Sequence, residues 1–386
     1  MKTTNRMQKA KIIFLLALLQ YFCVFSQEID TLDTDGYSVH ILETPPPHYI
    51  LPFHSLDSIA HTIKYTGNLE KTTYELTKNY TSQTEKARAI FAWVTYNIAY
   101  DYKSYNKQKD PKFPKCKGHD DCAQKMLEWE NDYLDKILRN KKAVCEGYSR
   151  LFKRMCGHAG IQCSVVPGYV KRSSRAIGRM GSLNHAWNIV ILDGKSYYLD
   201  ATWAAGFCTL DEKKGKLDGY QRWYNDFYWL MPQEKFRLNH FPKDTIWPFT
   251  SKADKIKYRD QPYINSHFIS SLDVLSPETG VLKVKMCDKI KFRLHLEYAI
   301  GKIQINTNVF KNPKIDWYFN EEGERVADKR ILGRQKYVDY VGKDQIYEFE
   351  YEVKNTNLRY IEVLFDYETA LKFKVEVQKP ELSALP

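Results

Sequence analysis

The chain has 386 residues, 43% of them hydrophobic, which is long for one domain and too apolar for a disordered chain. Its formal net charge is +11, but lysines and arginines are scattered among acids rather than gathered in a stripe, so the composition excludes a nucleic-acid module. Aromatic residues make up 14%, including 28 tyrosines, and point to a β-rich portion.

At the N-terminus, Lys2, Arg6, Lys9 and Lys11 flank and precede the short apolar run Ile12–Phe25. The run is too short and too abruptly ended for a membrane span, and Val24 and Ser26 suit the positions before a cleavage site. Residues 1–26 are therefore expected to be a signal peptide cut after Ser26. The mature protein would be secreted or held in the periplasm or cell envelope, with no stable membrane insertion; a retained anchor is the competing reading. Phe22, just before Cys23, argues against lipidation. Loss of Cys23 leaves seven cysteines, an odd number that flags a free thiol in an exported protein. If Cys145 is that thiol, Cys116, Cys122, Cys156, Cys163, Cys208 and Cys287 are left to pair. Cys116 and Cys122, in the polar loop KCKGHDDCA, are the best disulfide candidate. His119, Asp120 and Asp121 share that loop, but the spacing fits no zinc pattern, so no metal site is expected.

Residues 27–83 read as an extended, proline-bearing lead-in followed by helical character over Ser55–Tyr80. Ser82 and Glu85 have capping-box spacing, and Ile90, Trp93, Val94 and Ile98 recur on one helical face. Lys103–Asp121 reads as a lysine-rich loop and Gln124–Asn140 as a helix. Glu146–His158 is helical, with Tyr148, Leu151, Phe152 and Met155 on one face and Gly157 and Gly160 as stop signals. Cys163–Val170 is a strand bent by Pro167 and Gly168. Lys171–Leu183 is expected to be a mobile basic loop edging a cleft. His185–Leu192 and Ser196–Trp203 are strands joined by the turn signal Asp193-Gly194. Gly206–Gly219 reads as a polar loop, and Trp223–Phe249 as aromatic and loop-like. From Pro262 onward, period-two alternation (Ile290, Phe292, Leu294, Leu296, for example) is separated by turn residues, as in an antiparallel sandwich.

Three residues in this layout suit one chemistry. Cys145 sits at the start of a helix, where unpaired N–H groups and the positive dipole end favour a thiolate and where its own N–H can meet an oxyanion. Gly147 would keep the approach uncrowded. If Asp193-Gly194 is a two-residue turn, Trp187 faces Asp200 and His185 faces Thr202. His185 and Asp200 are then diagonal neighbours on one face. The carboxylate would fix the imidazole tautomer and leave the other ring nitrogen for a thiol. Each residue also has an ordinary reading: a buried structural cysteine, a satisfied core histidine, a strand-end aspartate. Trp187 and Trp203 flank the pair, either as core packing or as shields and N–H donors.

The motifs VCEGYS, NHAWN and YYLDATW, in that order, resemble the transglutaminase-like superfamily of papain-type cysteine enzymes. EKARAIFAWVTYNIAYD resembles the helix that opens that core, and NDFYWLMPQEKFRLNHFPKDTIWPF the segment after it in kyphoscoliosis-peptidase-like proteins. The resemblance spans about Thr84–Thr250. It implies an α+β fold: a papain-like transglutaminase core of helices packed on an antiparallel sheet (84–250), then a C-terminal antiparallel β-sandwich-like domain (262–386) that supports the core or binds a protein or envelope partner. It further implies Cys145 as nucleophile, His185 as general base and acid, and Asp200 as orienter, acting on a protein or peptide without a cofactor. Hydrolysis of an amide is the expected reaction. Glutamine transamidation and a non-catalytic scaffold are the alternatives, the former ranked lower because no acidic calcium-type cluster is present.

Overall fold

The computed structural model describes residues 53–378, apart from 109–110, 116–118, 212 and 322–323. The leader and the proline-rich lead-in lie outside these residues, as does Cys116 and with it the Cys116–Cys122 pairing. Among the described residues no helix is long and apolar enough to cross a membrane.

The helical stretch before Tyr80 divides in two, α1 (His54–Thr62) and α2 (Leu69–Thr77). Gly67, at φ 84°, breaks it, and Asn68 caps α2 by accepting from the Lys71 N–H. Ser82 caps α3 (Gln83–Asn97), accepting from the Glu85 N–H at 3.5 Å. Residues 87–95 of α3 are buried without interruption, so it is the central helix of the core rather than a surface helix. Its Arg88 is fully buried and pairs with Asp57 of α1 at 2.6 Å and with Asp226.

A short helix α4 (Tyr102–Asn106) interrupts the expected loop, and α5 (His119–Asn140) begins early enough to place Cys122 in a helix. Cys122 is disulfide-bonded. Cys156, Cys163, Cys208 and Cys287, which the sequence leaves open to pairing, are free thiols. Cys156 and Cys163 touch as thiols, Cys208 is buried in a strand, and Cys287 is exposed in the C-terminal part.

Helix α6 (Cys145–His158) turns Tyr148, Leu151, Phe152 and Met155 into the core. It packs on β3 (Gln162–Val170) and β4 (Ser182–Leu192) of an antiparallel sheet ordered β5-β4-β3-β8, where β5 is Lys195–Leu199 and β8 is His240–Pro242. Asn188 of β4 donates to the Ser149 carbonyl of α6 at 3.0 Å, locking helix to sheet. A two-residue parallel bridge, β1 (Ala99–Tyr100) with β2 (Lys142–Ala143), pins the chain just before α6 to the end of α3.

Three expectations are corrected here. The returning strand ends at Leu199, because Asp200 caps a short helix α7 (Ala201–Ala205). The supposed polar loop is a hairpin of β6 (Gly206–Asp211) and β7 (Lys216–Arg222). The segment after β3 does not begin as a solvated loop: Lys171, Ser173 and Ile177 are buried, and the Lys171 ammonium donates to the Arg259 and Gln261 carbonyls at 3.1 Å each. That contact docks a later helix, α8 (Lys252–Asp260), on the core.

Beyond it lie a two-stranded hairpin, Trp317–Phe319 with Arg325–Ala327, and two larger sheets. One orders Leu272–Ser276, Lys289–Leu296, Ile346–Glu352 and Val341–Lys343; the other orders Val281–Val284, Glu368–Val377, Tyr360–Phe365 and Ile303–Thr307. Their strands are antiparallel except for one parallel pair, Val281–Val284 with Glu368–Val377. The two sheets meet face to face, with Phe292 edge-on to Phe373 at 5.4 Å.

Candidate active site

The hairpin arithmetic is realised as far as Leu199. Pairing runs from Leu192↔Lys195 to Asn188↔Leu199, and Asp193 and Gly194 both have positive φ (49° and 78°), the signature of a primed two-residue turn. Asp200 then leaves the strand but keeps its side chain on the His185 face. His185 Nε2 and Asp200 Oδ2 are 2.6 Å apart, and both side chains are buried.

Asp200 is saturated by donors. Its Oδ1 accepts from the Thr202 N–H at 2.8 Å and the Trp203 N–H at 3.2 Å, as an N-cap does. Its Oδ2 also meets His240 Nε2 at 3.2 Å. His240, at the start of β8, is fully buried and stacks on Phe236 at 4.0 Å. It was not among the sequence candidates. Its only trace there is a histidine between Asn239 and Phe241 in the aromatic segment, and only the pairing of β8 with β3 brings it to the site.

Cys145 is the first residue of α6, half-buried, with its Sγ–H aimed at the Asn184 carbonyl at 3.7 Å. His185 is the next residue after Asn184. With Nε2 committed to Asp200, His185 Nδ1 is buried without a hydrogen-bond partner, and Cys145 is close enough to raise the basicity of the ring. All three residues singled out by the sequence therefore converge.

The protonation states follow from these contacts. Burial pushes His185 down, but the Asp200 carboxylate and Cys145 outweigh it, and the ring is pushed up to about 9. Burial would raise Asp200, but the two imidazoles hold it well below the usual carboxylate range. His240 goes the other way: burial dominates, Asp200 only partly compensates, and it is pushed down to about 4. The shared carboxylate thus favours a proton on His185, while burial disfavours charge on His240. Ligand atoms of His185, Asp200 and His240 lie within 4.8 Å of one another, a set of metal-ligating type. Here both Nε2 atoms are engaged with the carboxylate instead.

The neighbouring tryptophans differ. Trp187 is fully buried over Gly168, where an added Cβ would fall 2.1 Å from the indole; it is core packing, and that is why Gly168 is glycine. Trp203 is half-buried, with its ring 5.2 Å from that of His185. Gly147 is corrected as well: a Cβ there would meet Ile137 at 2.6 Å and Ala143 at 2.7 Å. It lets α5 and β2 close on α6 rather than keeping an approach open.

A model of the transglutaminase-like superfamily core matches residues 70–201, which include Cys145, His185 and Asp200. Over that stretch the chain carries a transglutaminase-like core. Its α+β organisation, helices on an antiparallel sheet with antiparallel strands following, is the fold expected from the sequence. The chain is 30% identical over 236 residues to the kyphoscoliosis peptidase of Mus musculus, covering 60% of this chain and 32% of that one, and equally similar to the Homo sapiens protein of that name. It is 27% identical over 249 residues to the Lim and transglutaminase domain protein ltd-1 of Caenorhabditis elegans, covering 58% of this chain and 31% of that one. The chain thus spans about a third of the length of these relatives.

Proposed function

We propose that this protein is a cysteine amide hydrolase of the transglutaminase-like superfamily, most simply a peptidase, in which Cys145 is the nucleophile, His185 the general base and acid, and Asp200 the residue that orients His185. One observation carries the reading: a buried His185–Asp200 pair at 2.6 Å leaves Nδ1 of His185 without a partner beside a thiol at a helix start. The pair holds the ring so that this nitrogen exchanges a proton with Cys145.

In the reaction the Cys145 sulfur attacks the amide carbon, and the oxyanion is met by N–H groups at the first turn of α6. The C–N bond breaks as His185 gives its Nδ1 proton to the leaving amine. A water, losing a proton to His185, then adds to the thioester. The acid leaves and the Cys145 thiol is restored. The basic–apolar sequence at residues 1–26 supports export, so the reaction is proposed to take place outside the cytoplasm.

The test is a thiol-directed peptide epoxide at neutral pH, followed by exposure to a peptide library. Labelling of Cys145 that is lost in Cys145→Ala, together with new peptide termini, supports the reading. Absence of labelling overturns it. Incorporation of an added amine at glutamine in place of cleavage replaces it with the transamidase reading.

A further inference from the structure

A cavity of about 190 Å³ opens beside the site, and His185 and Trp203 form part of its wall. Its other walls come from the β6–β7 hairpin, the segment that follows it, and the chain just after α8 (Phe207, Tyr228 and Ile264, for example). Cys145 is not part of the lining, so the cavity lies on the histidine side of the sulfur.

Its polar lining combines hydroxyls, cationic side chains and the amides of Asn225 and Asn239. The Thr202 hydroxyl, in a residue only 6% exposed, and the Ser266 hydroxyl are buried in the wall without hydrogen-bond partners. Buried hydroxyls are normally satisfied, so two orphans in residues that line one cavity mark a place where an acceptor is expected. Lys171, 4% exposed, brings an ammonium to the same wall, and Arg172 adjoins it. The Lys171 ammonium has three donors, and backbone carbonyls take two. No Asp or Glu is among the described lining residues. Donors, cations and aromatic surface without an acid suit an apolar body that ends in a carboxylate.

We propose that this cavity binds the leaving-amine half of the substrate, and that this half carries a carboxylate behind an apolar or aromatic body. The assignment of side rests on the acyl-transfer reading, because the amine departs toward the group that protonates it, His185. The carboxylate comes either from an acidic side chain or from the free C-terminus of a peptide. Both present the same two oxygens.

Binding to the full chain carrying Cys145→Ala tests the site without turnover. The probes are four acetylated tetrapeptides: one ending in phenylalanine as the free acid, the same peptide as its C-terminal amide, and two C-terminal amides ending in glutamate or glutamine. Calorimetry should show one acid bound at least about tenfold more tightly than its neutral counterpart. A preference in the first pair assigns the C-terminal carboxylate, and one in the second pair an acidic side chain. Thr202→Val and Lys171→Met, each added to Cys145→Ala, should both abolish the preference. Thr202→Val loses no side-chain hydrogen bond of the fold, so it stands if Lys171→Met does not fold. Equal binding within both pairs, or a preference that survives Thr202→Val, overturns the proposal. If the acid binds as expected but the protein with Cys145 intact does not cleave it, the site stands and the peptidase reading falls.

Discussion

His240 and His185 share one carboxylate oxygen: Asp200 Oδ2 lies 3.2 Å from His240 Nε2 and 2.6 Å from His185 Nε2. Two imidazoles on one oxygen cannot both be charged at low cost in a buried site. The balance of contacts charges His185, which also feels Cys145, and keeps His240 neutral. A neutral ring donates from one nitrogen only. With Nε2–H on Asp200, Nδ1 of His240 has no hydrogen for the Asn239 Oδ1 it contacts, so this tautomer requires the Asn239 amide to turn its NH2 toward the ring.

His240 is therefore expected to act through Asp200. In His240→Ala one donor to a buried carboxylate is lost, Asp200 becomes a stronger base, and His185 holds its proton more tightly. Peptide cleavage should fall on the order of tenfold in kcat, and the alkaline limb of the kcat–pH profile, set by His185, should move upward. His240→Gln, which can keep a donor, should restore part of both. If the limb stays in place in a stable His240→Ala protein, His240 is only packing.

The same two rings give opposite stability slopes. His185 is raised from 6.5 to about 9, so its contribution is full below pH 6.5 and is lost as pH rises through 9. His240 is lowered from 6.5 to about 4, so the folded state loses stability as pH falls from 6.5 toward 4. Each flank should slope by about 1.4 kcal/mol per pH unit. Lys171, which burial pushes down to about 7, slopes the other way above pH 7. The informative quantity is thus the urea-unfolding difference between the protein and a variant. His185→Gln should remove a decline between pH 6.5 and 9, and His240→Gln a decline between 6.5 and 4. Parallel curves for protein and variant would refute the assigned charges.

The parts of this site that the sequence discloses are those set by short-range rules. Asp193-Gly194 dictates a primed turn, the turn dictates register, and register puts His185 and Asp200 on one face. The apolar stripe of α6 is likewise a local periodicity. What stayed hidden is tertiary. His240 reaches Asp200 from 40 residues away in a three-residue strand too short to leave a pattern. Lys171 looks like a solvated loop residue until Arg259 and Gln261 supply carbonyls to its ammonium. The end of β5 is not legible in the strand pattern, because the aspartate that serves the histidine also caps α7, and the capping role ends the strand.

Arg88 is the clearest case of a buried charge that fixes the fold. It crosses from α3 to Asp57 and Asp226 with no exposed side-chain surface. Arg88→Met would leave two carboxylates facing each other in the core, and urea unfolding should register a loss of about 3–5 kcal/mol. Arg88→Lys keeps the charge but not the fork that meets two acids, so it should recover only part of that loss. A loss below about 1 kcal/mol for Arg88→Met would show the network to be energetically idle.

Gly147 couples packing to the candidate nucleophile. A methyl group there would sit 2.6 Å from Ile137 Cδ1 and 2.7 Å from Ala143 Cβ, so α6 must shift away from α5 and β2. Gly147→Ala is expected to cost about 1–3 kcal/mol in stability. Because Cys145 lies half a turn away on the same helix, the shift should also reduce epoxide labelling of that thiol. Ile137→Val removes the Cδ1 atom, so the double substitution should recover part of both losses. A Gly147→Ala protein with full stability but slowed labelling would instead mean that Gly147 faces the incoming substrate, as the sequence alone suggests.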